Sequence, residues 1–358
     1  MPPSSRPSAP TTPAGRAMLR NVGGGTALNI VFDVRTSFDF AISLAKEVGE
    51  HDELPEDDRH WLDRARGALP ASVRAAIDDD VSIFAAGLLV DHPEVADAAG
   101  LVALVGGVPP SAFVDLVLAD SLRDPERREE TRAARDGDPA AIESVVACWP
   151  EEKHEWVGRL FRDPAALMGE ITALMGAWLP LYQEIEPRVG TIIAHDADLR
   201  ARDRATLGAT ELIERTTNGI RWLSEPGLRR VILAPSYLAR PYNFTFAGGD
   251  WRMFVYPVID EALEPHDPLA PPQGVLRLHR ALGDATRLRI LRLLRDRDWY
   301  LTEIAERLEL SKPTIKHHLA QLRAAGLVTL TEEGGLSYYS LRRDRLDDAS
   351  SELKRYLI

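Results

Sequence analysis

The chain has a single cysteine, Cys148, in 358 residues. An internal disulfide is therefore excluded, and the usage fits a reducing compartment, so a cytoplasmic location is expected. Nowhere do apolar residues run unbroken for the roughly 20 positions that a membrane-crossing helix needs, and no membrane partner is expected. The N-terminal MPPSSRPSAPTTPAGR lacks the apolar core of a secretory signal and suits a disordered tail over residues 1–25. Also missing are the Gly-x-Ser-x-Gly elbow, a phosphate loop and a zinc-protease motif. Gly23-Gly24-Gly25 precedes the first strand candidate, whereas a dinucleotide loop has to follow one. No catalytic residue, cofactor or metal site is expected, and the chain is not read as an enzyme.

The length allows two or three domains with proper cores, and 45% hydrophobic with 27% charged residues is ordinary for a globular protein. Net charge discriminates more sharply. The whole chain carries 43 Lys+Arg against 55 Asp+Glu, a net −12. Residues 275–358 hold 16 against 12, a net +4, which leaves 27 against 43, a net −16, for the remainder. A basic module on an acidic body suits a polyanionic partner for one end only.

In chain order, Leu28–Val34 is a strand candidate, and a helix from Ser37 puts Phe40, Leu44 and Val48 on one face. From about Glu56 to Leu223 the pattern is helical almost throughout. Asp124-Pro125, Asp138-Pro139 and Asp163-Pro164 each pair a capping carboxylate with a proline suited to a first helical turn. After the third, Leu167, Ile171, Leu174, Met175, Trp178 and Tyr182 form one apolar stripe, read as core rather than as a ligand pocket. Val231-Ile232-Leu233, Tyr242–Phe246 and Trp251–Tyr256 are strands, the last two joined at Gly248-Gly249-Asp250. The fold class expected is mostly α with small β elements (α+β): a helical domain with a small antiparallel sheet over 26–260, a proline-rich linker at 261–274, and a separate module at 275–358. His195-Asp196-x-Asp198 has metal-ligand residue types but not helical ligand spacing. Asp33 and Arg35 are read as solvated, and Cys148 as a small buried hydrophobe.

The module is the informative part. Two helices over Leu276–Leu294 are punctuated by Gly283-Asp284-Ala285, a short helix follows Thr302, and Ser311 caps a further helix that Gly326 ends. Two strands then flank Glu332-Glu333-Gly334-Gly335. At 100° per residue, Ile315, Leu319 and Leu322 share the buried side of the capped helix, over about 311–325, while Thr314, His317 and Gln321 lie opposite. Hydroxyl, imidazole and amide groups suit base edges in a major groove. Lys312, Lys316 and Arg323 suit phosphates, which set position and affinity without reading sequence. His318 lies on the flank, poised between packing and contact. Helix, helix, turn, helix and hairpin is the order of a winged helix-turn-helix.

Three motifs carry a resemblance: Leu282-Gly283-Asp284-Ala285-Thr286-Arg287-Leu288-Arg289-Ile290-Leu291, Ser311–Leu319, and Leu322-Arg323-Ala324-Ala325-Gly326-Leu327-Val328. In these, residues 275–358 resemble the DNA-binding domain of ArsR-type bacterial transcriptional regulators. The first 260 residues are similar, less specifically, to the long N-terminal domain of unassigned role in some larger members. The resemblance implies a repressor that dimerises through the terminal helices of the module and binds operator DNA with the Ser311–Arg323 helix. Family metal sensors use a Cys-x-Cys before that helix or Asp/His/Glu ligands on the last one; here Cys148 lies outside the module and the last helix has no histidine, so metal sensing is not carried over. Glu332 and Glu333 stand by the wing turn, and Leu336 and Ser337 stand where relatives often have an arginine. The expected function is a sequence-specific, homodimeric, DNA-binding transcriptional regulator with a possible small-molecule effector in its N-terminal domain. The alternatives are a small-molecule-binding protein or enzyme working through that domain, and a metal-responsive repressor.

Overall fold

A computed structural model describes residues 28–49, 53–79, 81–222, 227–263, 271–333 and 336–358. The expected tail, half of the expected linker, and Gly334-Gly335 lie outside these residues. The strands of the N-terminal region are β1 (Asn29–Phe32), β2 (Ile220–Trp222), β3 (Arg230–Ser236), β4 (Phe244–Ala247) and β5 (Trp251–Pro257). Alternating side chains on β3 and β5 decide the layering. Ile232, Ala234, Met253 and Val255 enter the large helical core, whereas Val231, Leu233, Phe254 and Tyr256 pack on the other face with Leu212, Ile213, Ile220 and Trp222. Burial on both faces explains why these strands read as near-continuous apolar runs.

The sheet order is β1-β3-β5-β4. The β4–β5 hairpin is antiparallel, with Phe244 opposite Val255 and Ala247 opposite Arg252. The expectation of an antiparallel sheet needs correcting here, because β1, β3 and β5 run parallel. The chain leaves β1 through the whole helical body before returning as β3. It then passes outside to β4 and folds back as β5, between β3 and β4.

The helical body packs against one sheet face. Along Pro164–Tyr182, the six stripe residues from Leu167 to Tyr182 are each at most 1% exposed. Trp178 donates to Ser43 Oγ (2.7 Å), and the Tyr182 hydroxyl donates to the buried Asp39 carboxylate (2.8 Å). Burial pushes the Asp39 carboxyl up, although Ser236, the Leu238 amide and Tyr182 all donate to it. This helix, at 19 residues, is long and apolar enough to cross a bilayer, contrary to the sequence expectation, but its stripe forms the core of this fold. Asp138 and Asp163 cap their helices through Ala141 N and Ala166 N (both 3.0 Å). Asp124 instead accepts from Glu126 N within a turn, and its helix starts only at Arg128.

Two further expectations change, and the surroundings of Asp196 become clear. Asp33 and Arg35 are not solvated: Arg35 grips Asp33 with two nitrogens (both 2.6 Å) and donates to the carbonyls of Leu89, His92 and Val95. Cys148 is exposed, because it follows the last turn of the Pro139–Ala147 helix on its solvent side. Asp196 is buried among Arg200, the Tyr256 hydroxyl and the Ile259 amide (each 2.9 Å), so it serves packing rather than a cation.

The C-terminal module follows in the expected order: helices Gln273–Leu282 and Ala285–Leu294, β6 (Trp299–Tyr300), helices Leu301–Leu308 and Lys312–Ala324, β7 (Val328–Glu333), β8 (Leu336–Leu341), and the terminal helix Arg343–Leu357. Leu278, Ile290, Ile304, Ile315, Leu319, Leu322, Leu327 and Val328, all fully buried, make its own core. The module is nonetheless joined to the N-terminal region. Residues 220–222, read as helical from sequence, form β2, which pairs in parallel with β7: Ile220 opposite Leu330 and Trp222 opposite Glu332. Asn218 (φ 52°) and Gly219 (φ 111°) end the preceding helix in left-handed conformations and start that strand.

A charged cluster makes a second attachment. Arg277 of the module donates to Glu53 (2.8 Å) and Asp260 (3.0 Å), and Arg240 also reaches Asp260 (2.5 Å). Burial pushes the Asp260 carboxyl up, but the two guanidiniums outweigh it and hold it at about 2, below its ordinary 3.8. Because the folded-state value is depressed, this stabilisation is complete above about pH 4 and is lost as pH falls toward 2. Arg277→Met is expected to leave Glu53 without that ion pair and to destabilise the protein by roughly 3 kcal/mol at pH 7. It should also flatten the acid limb between pH 4 and 2. Thermal unfolding of both proteins from pH 2 to 7 checks this.

Candidate nucleic-acid interface

The Lys312–Ala324 helix is the candidate surface. Ser311 caps it, its Oγ accepting from Thr314 N (3.2 Å) and meeting the Thr314 hydroxyl (2.7 Å). Pro313 suits the first turn, where a missing N–H costs nothing. Gly326, at φ 74°, closes the far end. Ile315, Leu319 and Leu322 are fully buried, as their phase requires. Ser311, Lys312, Thr314, Lys316 and His317 are exposed, so the polar face is presented to solvent.

Three residues are placed differently from a simple face-by-face reading. Arg323 was expected to reach phosphate, but it is only 7% exposed and donates to the Thr217 carbonyl (3.3 Å). The body draws it in, because Asn218 simultaneously donates to the carbonyls of Arg323 (3.3 Å) and Ala324 (2.9 Å) at the helix end. Gln321 is half-buried: its Oε1 accepts from Arg287 and its Nε2 lies 2.9 Å from His317 Nε2. His318 tucks toward Asp284, with 3.8 Å between Nδ1 and Oδ1. Burial lowers its pKa, with Asp284 opposing that shift.

Sequence reasoning missed Arg287 and Asp284 as parts of this surface. Arg287 precedes Ile290 and Leu291 by three and four positions, so it shares their inward face; a polar residue in an apolar phase was the available signal. Asp284 is the cap of that helix, accepting from Arg287 N (2.8 Å), a bond that lowers its carboxyl pKa. Among the described residues, no three His, Cys, Asp or Glu side chains converge as a metal site would need.

This arrangement of capped helix, preceding helix and two-stranded wing defines a winged helix-turn-helix module. The profile described as "Bacterial regulatory protein, arsR family" matches residues 284–329. The chain is 36% identical over 78 residues to the transcriptional repressor SdpR of Bacillus subtilis (strain 168), covering 22% of this chain and 87% of that protein. It is 40% identical over 85 residues to the HTH-type transcriptional regulator CmtR of Mycobacterium bovis, covering 24% and 72%. It is 37% identical over 82 residues to the HTH-type transcriptional regulator KmtR of Mycobacterium tuberculosis, covering 22% of this chain and only 63% of that relative's length. The chain belongs to the ArsR family of bacterial regulatory proteins, and each of these likenesses covers no more than about a quarter of it.

Placement on the surface separates two arginine-lysine predictions. If Lys316 neutralises a phosphate, Lys316→Ala weakens DNA binding similarly for all sequences and reduces the slope of log affinity against log salt by about 1. Arg323→Ala, by contrast, leaves that slope unchanged and lowers the melting temperature. Binding titrations at four or more salt concentrations, with a melting curve for each variant, check both.

Proposed function

We propose that this protein is a sequence-specific transcriptional regulator that binds operator DNA as a homodimer, with its N-terminal region setting the disposition of the DNA-binding module. The observation that carries this reading is the capped Lys312–Ala324 helix, whose exposed polar face lies opposite a fully buried apolar one. Thr314 and His317 face base edges, and Lys312 and Lys316 face phosphates. Such contacts divide between readout and positioning, and only the first kind selects sequence.

Dimer formation is supported by the terminal helices. Gln273–Leu282 and Arg343–Leu357 pack together, and the second leaves Leu346, Tyr356, Leu357 and Ile358 between 37% and 102% exposed. A second copy covering these side chains would pair two such helices, and a two-fold operator requires them about one DNA turn apart. Operator binding places the protein in the cytoplasm.

The N-terminal region acts here as a regulatory rather than a catalytic domain. Its coupling to the module runs through the β2–β7 pairing and the Asn218 contacts. A cleft of about 1580 Å³ lies beside that junction, walled by Glu214 and Asn218 on one side and by Arg342 and Arg345 on the other. A small effector held there would touch both parts and bias their contact.

Selection of the full-length protein against random duplexes tests the reading. Enrichment of paired half-sites about one turn apart is expected. Failure to retain any duplex at low salt, with a folded dimer confirmed by sedimentation, overturns it. The coupling has its own check. In Gly219→Val, a Cβ would stand 3.1 Å from the Val328 carbonyl at a positive φ, and the Leu330 amide, which donates to Gly219 O (2.8 Å), should then exchange its hydrogen faster.

A further inference from the structure

We propose that Arg287 and Gln321 are positioning residues that fix the tautomer of His317, so that the helix offers a ring N–H rather than a ring lone pair to base edges. This inference rests on the DNA-binding reading for its consequence, but not for its chemistry. A guanidinium has five donors and no acceptor. The Gln321 atom that faces Arg287 must therefore be Oε1, as the structure has it. The Gln321 NH₂ is thereby turned toward His317 Nε2, at 2.9 Å. An amide NH₂ only donates, so Nε2 has to carry the lone pair, and the proton of the neutral ring resides on Nδ1.

The start of this relay is rigid. Arg287 Nε donates to the Ala281 carbonyl (2.8 Å) and its NH2 to the Arg280 carbonyl (2.6 Å), both at the end of the Gln273–Leu282 helix. Its own backbone amide is held by Asp284. The guanidinium thus closes one helix, opens the next, and has its remaining terminal nitrogen directed at Gln321. Rotating the Gln321 amide would set its NH₂ donor against the Arg287 donor, so its orientation is set by hydrogen-bond polarity and not by packing alone.

Two consequences for recognition follow. Gln321, with Oε1 engaged, no longer offers the donor–acceptor pair by which a free glutamine reads adenine. His317 is exposed, and a ring with its proton on Nδ1 would match acceptor edges such as guanine N7 and O6, adenine N7 or thymine O4, and be mismatched to the cytosine N4 amine. The discrimination expected from one such contact is on the order of tenfold.

The test uses the full-length protein with ¹⁵N-labelled histidine at pH 8, where ordinary histidines are neutral. Ring ¹⁵N spectra, assigned by difference with His317→Ala, should show Nδ1 protonated and Nε2 bare. Gln321→Glu replaces the donor with an acceptor while keeping a partner for Arg287, and should move the proton to Nε2. An Nε2–H ring in the unmodified protein, or identical spectra for the two, overturns the proposal. A second arm compares selected operators: the base pair whose preference vanishes in His317→Ala should disfavour cytosine about tenfold, and Gln321→Glu should lose or invert that preference. A cytosine preference in the unmodified protein also overturns the proposal. If no duplex is bound at all, the DNA-binding reading fails, and the spectra alone decide the tautomer.

Discussion

One carbonyl group, that of Thr217, lies where the two parts of the chain meet. It accepts from Asn243 within the N-terminal region (3.1 Å) and from Arg323 at the end of the Lys312–Ala324 helix (3.3 Å). Directly after it, Asn218 donates to the last carbonyls of that helix and Gly219 starts the pairing of β2 with β7. Ile220 and Trp222 of β2 turn their side chains into the second core layer, against Phe254 and its neighbours. A strand of three residues is thus bonded by its backbone to the wing and by its side chains to the body. A movement of the body's sheet can reach the helix through this strand, alongside the Arg277 cluster that joins the two parts elsewhere.

The C-terminal module was largely legible in the sequence. Its information is local: Ser311 and Asp284 are caps, Gly326 is a left-handed stop, and Ile315, Leu319 and Leu322 hold one helical phase. Each signal spans only a few residues, and all of them agree. The face assignment failed where a long-range partner intervened. Arg323 has the phase of a flanking cation, yet a carbonyl more than a hundred positions away claims it. Gln321 has the phase of a base reader, yet Arg287 from another helix occupies its oxygen. Helical phase says which side chains leave the core, but not what meets them there.

The N-terminal region shows the opposite balance. Its hairpin at Gly248–Asp250 and its apolar stripe from Leu167 to Tyr182 were readable, because turn chemistry and periodicity are local. Strand direction was not. Whether β1 runs parallel or antiparallel to β3 depends on how the intervening helices stack, and no short pattern encodes that. Asp33 with Arg35, and Asp196 with Arg200, likewise resemble surface charge until the carbonyls and hydroxyls around them are placed. The exposed polar helix is thus defined by sequence, and its restraint by tertiary structure.

The β2–β7 pairing also bears on where the chain can be divided. In a free-standing module, β7 would be an edge strand with a row of unpaired amide and carbonyl groups, the kind of surface that recruits foreign strands. Here its outer side is filled from within the same polypeptide. A cut at the proline-rich 261–274 stretch, the boundary that composition suggests, would strip β2 away and leave that edge bare. The module's solubility as a separate piece therefore belongs partly to three residues that lie more than fifty positions upstream of it.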